Sequence, residues 1–195
     1  MRGRRLSTDR DASRRFHDDV APCDQVAPLT SHDAALRALD ASLVHTTWQE
    51  LYDVALRAVR MSHPSACAVL LEADAERLGV RRSDGRFGSK ASRRLAARIS
   101  MAPLDLDRDD LTAIEQGPDE FGRDPLRVTL ERRLRLTSPA VGRLRLDGIV
   151  VALIVLDHSP YPATTADRRF VDEVAERISV CMDSRLGAFL ASLHC

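Results

Sequence analysis

The stretch LRLDGIVVALIVLDHSPYP, which runs from Leu144 to Pro162, decides the fold of this chain. Its centre, Ile149 to Leu156, consists of eight consecutive apolar residues, most of them β-branched. Successive side chains of a strand point to opposite faces of a sheet, so both faces of this segment must be shielded from water. The sequence therefore predicts a buried strand with cover on each side. Asp147-Gly148, directly before it, is the strongest hairpin signal in the chain and predicts a tight turn from a preceding strand.

The composition is that of a globular protein with balanced charge. A length of 195 residues fits one domain of ordinary size with a tail to spare. The 29 basic and 29 acidic residues cancel, so the overall charge favours neither nucleic acid nor an anionic membrane as a partner. No apolar run is long enough to predict a membrane span. Scattered cysteines without a metal-site or disulfide spacing indicate a reducing, cytoplasmic setting.

Residues 1 to 30 differ in character from the rest of the chain. They combine many arginines and aspartates with few large apolar side chains, and they predict a disordered tail because such a segment buries too little surface to offset its ordering entropy. Residues 31 to 195 are predicted to form a single domain. A solvated tail is favoured over one that contacts RNA, DNA or an acidic partner, since Phe16 is the one aromatic residue available to stack on a base.

Two helices are predicted at the start of the domain. Ser31 or Asp33 can cap the first helix. The second begins at the capping box Thr47-Trp48-Gln49-Glu50 and ends at His63-Pro64. His45 and His63 flank this second helix, and no spacing pairs them into a metal site.

The middle of the chain predicts a hairpin followed by an irregular excursion. Ala66 to Ala73 is the first strand, and Arg77 to Arg82 is its hairpin partner. Ser89 or Ser92 opens a helix, and a loop-rich segment with a short helix over Asp109 to Gln116 follows. Periodicity leaves Leu126 to Leu134 open between helix and strand.

We expect no metal site in this segment. Asp105 to Asp109 mimics the start of an EF-hand loop, but Asp110 stands where that loop needs glycine and Gln116 where it needs a bidentate glutamate.

A few polar side chains are candidates for ligand binding. Leu134 to Ser138 and Val141 to Leu146 alternate with arginines at positions 133, 135, 143 and 145, which would form a basic strip if they shared one face. A solvated sheet edge is the favoured alternative for this strip. The candidate ligand-binding residues are His158 and Tyr161, at the exit of the central strand, and Arg135 and Arg145, which could meet an anionic ligand. An ordinary surface or loop role is the alternative for each of them.

The chain ends in a long predicted helix. Thr164 or Thr165 caps it, and its apolar period continues to Leu193, a length on the order of 40 Å. Its far end, with Phe189 and Leu190, is expected to pack on the N-terminal helices or on another chain, unless Gly187 breaks the helix.

The segment SPAVGRLRLDGIVVALIVLDHSPYPATTADRRFVDEVAERISVCM, which ends at Met182, resembles the end of a GAF domain. The resemblance covers roughly residues 34 to 190. It implies an α+β fold with a central antiparallel sheet of five to six strands and with the N- and C-terminal helices packed on one face, as in GAF and PAS domains. It also implies a ligand pocket on the other face, roofed by the middle segment.

For function, the resemblance implies a non-enzymatic sensory or regulatory domain that binds a small molecule and signals through a homodimer of terminal helices or through a separate partner. The alternative is a degenerate module that acts only as an interaction or dimerisation platform. A third possibility is an enzyme with an unrecognised site, but the sequence contains neither a G-x-S-x-G elbow nor a glycine-rich phosphate loop. A cavity of a few hundred cubic ångströms under the middle segment would favour sensing over the platform.

Overall fold

The computed structural model describes residues 30–64, 66–74, 77–83, 104–105, 108–116, 123–158 and 161–193, together with residues 97 and 118. The elements, in order, are α1 (Ser31–Leu43), a 3-10 turn (Trp48–Glu50), α2 (Leu51–Ser62), β1 (Cys67–Asp74), β2 (Arg77–Ser83), β3 (Leu104–Asp105), α3 (Arg108–Glu115), α4 (Pro125–Leu134), β4 (Ala140–Leu146), β5 (Ile149–Asp157) and α5 (Thr165–Ser192). Apart from residues 30 and 97, the predicted tail and the helix predicted to open at Ser89 or Ser92 lie outside the described residues.

The described strands form an antiparallel sheet in the order β3-β2-β1-β5-β4. The strand predicted to be central, β5, pairs with β1 on one side and with β4 on the other. Its residues from Ala152 onward are buried, and only its start, with Ile149 63% exposed, reaches water. The α+β class with an antiparallel sheet is confirmed. The apolar run is buried on both faces of this sheet, as its composition requires.

The turn between β4 and β5 follows the hairpin signal. Asp147 has a φ of 51° and Gly148 a φ of 80°. Two successive positive φ angles match the right-handed twist of the flanking strands, and aspartate and glycine tolerate them at low cost. The hairpin prediction is confirmed.

The structure decides the segment just before β4. Leu126 to Leu134, which periodicity leaves open between helix and strand, is helical: α4 runs to Leu134, and Arg135 ends it with a φ of 52°. Leu126, Leu130 and Leu134 are spaced four apart and buried on one helix face, and the Asp124 side chain accepts the Leu126 N–H at the helix start. Helical burial and capping therefore outweigh the short-range alternation.

Helices cover one face of the sheet as predicted. Side chains of α1, α2 and α5 form one apolar cluster with the β1, β4 and β5 side chains that point to that face, among them Leu70, Leu144 and Ile154. The N-terminal cap of α1 is Thr30, whose hydroxyl accepts the Asp33 N–H, and not Ser31 or Asp33. The capping box of Thr47 and Glu50 forms as predicted.

The opposite face is packed by α3 and α4. Ile114, Leu126 and Leu130 join the other side-chain set of the sheet, including Val69, Leu153 and Val155, in a second apolar cluster. Much of the middle segment that is expected to roof a ligand pocket on this face lies outside the described residues, so the pocket stays a prediction. No helix among the described residues has the length and apolar character needed to cross a membrane.

Candidate functional site

The ends of three helices bring polar side chains together on the helical side of the sheet. His32 lies in the first turn of α1, His63 ends α2, and Asp167 lies in the first turn of α5. The His63 Nε2 atom lies 2.9 Å from Asp167 Oδ1 and 3.3 Å from His32 Nε2. The distance from His32 Nε2 to Asp167 Oδ1 is 3.7 Å. With His158, which lies beside them, we call these residues the histidine cluster.

His158 approaches the cluster from the exit of β5. Its Nε2 atom lies 3.8 Å from Asp167 Oδ2, and its ring centroid lies 4.9 Å from that of His63. This Nε2 is buried, as is Nδ1 of His63, and neither atom has a hydrogen-bond partner among the described residues. Buried polar atoms are costly when unpaired, which makes this cluster the least satisfied polar region of the described chain.

The Phe170 ring packs against two of the imidazole rings. It is buried one turn after Asp167, and its ring stacks on that of His32 with a centroid distance of 4.6 Å and an interplanar angle of 14°. The His63 ring is tilted against it at 5.5 Å. Contact with the Phe170 ring holds both imidazoles with their Nε2 atoms directed at Asp167.

The cluster is built to keep Asp167 charged and His63 neutral. Burial alone would raise the pKa of Asp167, but the Thr164 N–H and hydroxyl and the His63 ring donate to the carboxylate and lower its pKa to about 2. For His63, burial is the largest effect and lowers the pKa below its usual 6.5, against the opposing attraction of Asp167. Near neutral pH Asp167 is therefore a carboxylate and His63 a neutral imidazole, with a proton on one of its two ring nitrogens.

The structure separates the four residues predicted to bind a ligand. His158 and Tyr161 form an isolated bridge, in which the Tyr161 N–H donates to the His158 carbonyl over 3.1 Å, and Tyr161 is 72% exposed. Arg135 is the exposed residue that ends α4. Arg145 pairs with Val150 near the turn end of the hairpin, about 25 Å along β5 from His158. A single small ligand cannot contact both ends of this hairpin.

The predicted basic strip is neutralised by acidic partners. Arg145 donates to the Gly148 carbonyl over 2.7 Å and lies 3.4 Å from a Glu115 carboxylate oxygen. Arg143 pairs with Asp124 over 2.6 Å, and Arg133 pairs with Asp110. Arg143 and Arg145 thus tie the two helices to β4, and Arg133 joins α4 to α3.

A groove of about 340 Å³ lies at the far end of α5 and is lined by Trp48, Arg185, Leu186 and Phe189. The helix runs through Gly187 without a break. Beyond the groove the apolar side chains stand in solvent, with exposed fractions of 60% for Phe189, 46% for Leu190 and 64% for Leu193. Among the described residues these side chains are thus largely exposed.

Local sequence patterns do not indicate the histidine cluster. His63 is predicted only as a histidine that flanks a helix, and Asp167, its partner, lies 104 positions further along the chain. His32 lies 31 positions before His63. Because each side chain comes from a different element end, no local spacing could have indicated the cluster; the signal available was that each one lies at a helix terminus.

Comparisons with known proteins bear on the fold. The GAF domain/HD domain protein from Geobacter sulfurreducens is 14% identical with a TM-score of 0.46, over 71% of this chain and 93% of that chain. The blue-light absorbing form of the Thermosynechococcus elongatus PixJ GAF-domain is 14% identical with a TM-score of 0.46, over 83% and 95%. Both are likenesses to proteins named for a GAF domain, at TM-scores below 0.5.

A third similar structure comes from a longer chain. The chromophore-binding domain of the Stigmatella aurantiaca bacteriophytochrome is 17% identical with a TM-score of 0.48; the match covers 82% of this chain and 62% of that one. No protein-family model and no curated protein matches the chain.

Proposed function

We propose that this chain is a regulatory module without catalytic activity that works as a homodimer joined at the far end of α5. The observation that carries the proposal is the apolar surface formed by the groove and by the exposed side chains next to it. The GAF-like sequence pattern supports a regulatory role. The absence of a nucleophile elbow and of a phosphate loop from the sequence supports a module that does not catalyse.

A second copy of the chain is the occupant that this surface fits. The surface carries both a groove, lined by Trp48 and Leu186, and projecting apolar side chains, Leu190 and Leu193, on the same helix. In a two-fold dimer each copy presents the same patch, so a surface with both a recess and a projection can be complementary to itself. Burial of these side chains would remove a cluster of large apolar groups from water.

The homodimer is tested by light scattering after size exclusion at micromolar concentration. The wild-type chain is expected to elute as a dimer, and Phe189→Lys as a monomer, because the new ammonium group would face Arg185 inside the groove. Val128→Lys is the matched control, since Val128 is 56% exposed on α4, away from the groove. A monomeric wild type, or a Phe189→Lys variant as dimeric as the control, would contradict the homodimer.

Small-molecule sensing is the second candidate. It is favoured by the half-buried His158 at the exit of β5, whose Nε2 is buried and has no partner among the described residues, next to the exposed ring of Tyr161. Arg135 and Arg145 remain the candidates for an anionic group. Native mass spectrometry of freshly purified protein distinguishes the two functions: a co-purified small molecule supports a sensor, and the bare chain mass supports a platform.

A further inference from the structure

The spacing of the three ligand-type atoms in the histidine cluster matches that of a metal site. Tetrahedral Zn²⁺ with bonds of about 2.0–2.1 Å holds its ligand atoms roughly 3.3–3.4 Å from one another. Here the two Nε2 atoms and Asp167 Oδ1 are separated by 3.3, 2.9 and 3.7 Å. The three atoms thus form a triangle close in size to one face of such a tetrahedron, before any adjustment on binding.

Hydrogen bonding alone does not satisfy this arrangement. The Nε2 of His63 can carry a single proton, and it faces both the Asp167 carboxylate and the Nε2 of His32. One N–H cannot be well aligned with both neighbours. A cation that replaces this one proton, which moves to Nδ1 or to solvent, can accept a lone pair from all three atoms at once.

We propose that His32, His63 and Asp167 bind a divalent transition-metal ion of the Zn²⁺ class. Two imidazoles and one carboxylate are ligands that Zn²⁺ accepts, whereas Ca²⁺ and Mg²⁺ require mostly oxygen. His158 Nε2 lies 3.8 Å from Asp167 Oδ2, the oxygen that Thr164 contacts, and not among the three converging atoms. Water would complete the coordination of the ion.

The surroundings orient the ligands and leave a way in. The Thr164 N–H and hydroxyl donate to Asp167 Oδ2 over 2.7 and 2.8 Å, which leaves Oδ1 directed at the two imidazoles. Phe170 stacks against the ring of His32. Groups of this kind fix ligand orientation in known metal sites. The side chains of His32 and His158 are 24% and 25% exposed, so an ion can enter between them from solvent.

Calorimetric titration of ZnCl₂ into the full chain, free of tags and stripped with EDTA, tests the proposal. The wild type is expected to bind one equivalent, and His32→Ala to bind at least tenfold more weakly. Asp167→Asn is the second variant, because it keeps the shape of the side chain and removes the charge. His45→Ala is the matched control, since His45 is an exposed histidine outside the cluster. Absence of binding, or equal affinity in His32→Ala, Asp167→Asn and the control, would overturn the proposal.

Cobalt distinguishes the cluster from the cysteines as the binding site. Co²⁺ held by nitrogen and oxygen gives visible bands without thiolate charge transfer, and these bands are expected to disappear in His32→Ala. A thiolate-to-cobalt band in the near ultraviolet would place the ion on cysteine and overturn the assignment.

The inference does not rest on the homodimer. The same zinc titration on Phe189→Lys separates the two, because that substitution lies at the other end of α5 and is expected to leave zinc affinity unchanged.

Discussion

At the scale of the residue, Gly142 sets how closely β4 approaches α5. A Cβ at this position would lie 2.7 Å from the Val171 carbonyl oxygen and 2.9 Å from the Ala175 Cβ. The first of these is backbone and cannot rotate away, so Gly142→Ala must push the helix from the sheet. We expect it to lower the free energy of unfolding by about 2 kcal/mol, measured by urea denaturation. Gly79→Ala is the control, since a Cβ there meets nothing within 4 Å; equal stability of the two variants would refute this account.

Asp167 gives the stability a defined pH dependence when metal is withheld by EDTA. Its pKa of about 2 lies below the 3.8 that is usual for an aspartate, so the folded chain binds fewer protons than the unfolded chain between these values. The contribution of Asp167 is therefore complete above about pH 4 and is lost as the pH falls towards 2. We expect Asp167→Asn to cost about 1 kcal/mol at pH 7, since partial exposure screens the interaction. The difference from wild type, followed by urea denaturation, should shrink below pH 4; a constant difference would contradict it.

At the scale of the element, Arg143 ties α3 and α4 to the sheet. Its guanidinium donates to both Asp124 oxygens over 2.6 and 3.1 Å and to the Ile114 carbonyl at the end of α3 over 2.9 Å. Asp124 also caps α4. The arginine and aspartate side chains are only 9% and 11% exposed, so removal of the arginine leaves a buried carboxylate without its cation.

Arg143→Met is therefore expected to lower the free energy of unfolding by about 3 kcal/mol. Arg143→Lys should cost less, because it keeps the charge and loses only the two-pronged geometry. Arg132→Met, at an exposed position on α4, is the control and should stay within about 0.5 kcal/mol of wild type. Chemical denaturation of the three variants measures these losses. If Arg143→Met loses as little free energy of unfolding as the Arg132→Met control, the contacts of Arg143 do not stabilise the fold.

Elements whose signals are local could be predicted from the sequence, and contacts between distant elements could not. Thr47 with Glu50 and Asp147 with Gly148 act within four residues, so their chemistry is legible in the sequence. The same short range leaves Leu126 to Leu134 open between helix and strand, because the helix there depends on burial of one face against the sheet. Arg143 is recognisable as a candidate cation, but nothing near it in sequence indicates that Asp124 neutralises it.

At the scale of the whole molecule, α5 connects the histidine cluster to the groove. Asp167 and Leu186 lie at its two ends, about 28 Å apart by the rise of a helix. The described contacts give the two sites no common side-chain partner. Substitutions this far apart without shared partners usually act additively.

We therefore expect metal binding and self-association to be independent. Sedimentation of the wild type at several protein concentrations should give the same dimer dissociation constant with EDTA and with saturating Zn²⁺. Asp167→Asn should leave that constant within about twofold, which corresponds to the usual error of additivity of 0.3–0.5 kcal/mol. A ligand shifts an equilibrium only by its differential affinity for the two states, and a single continuous helix offers it one state. A dissociation constant that zinc changes tenfold would contradict independence, because the two ends of α5 would then have to differ between monomer and dimer.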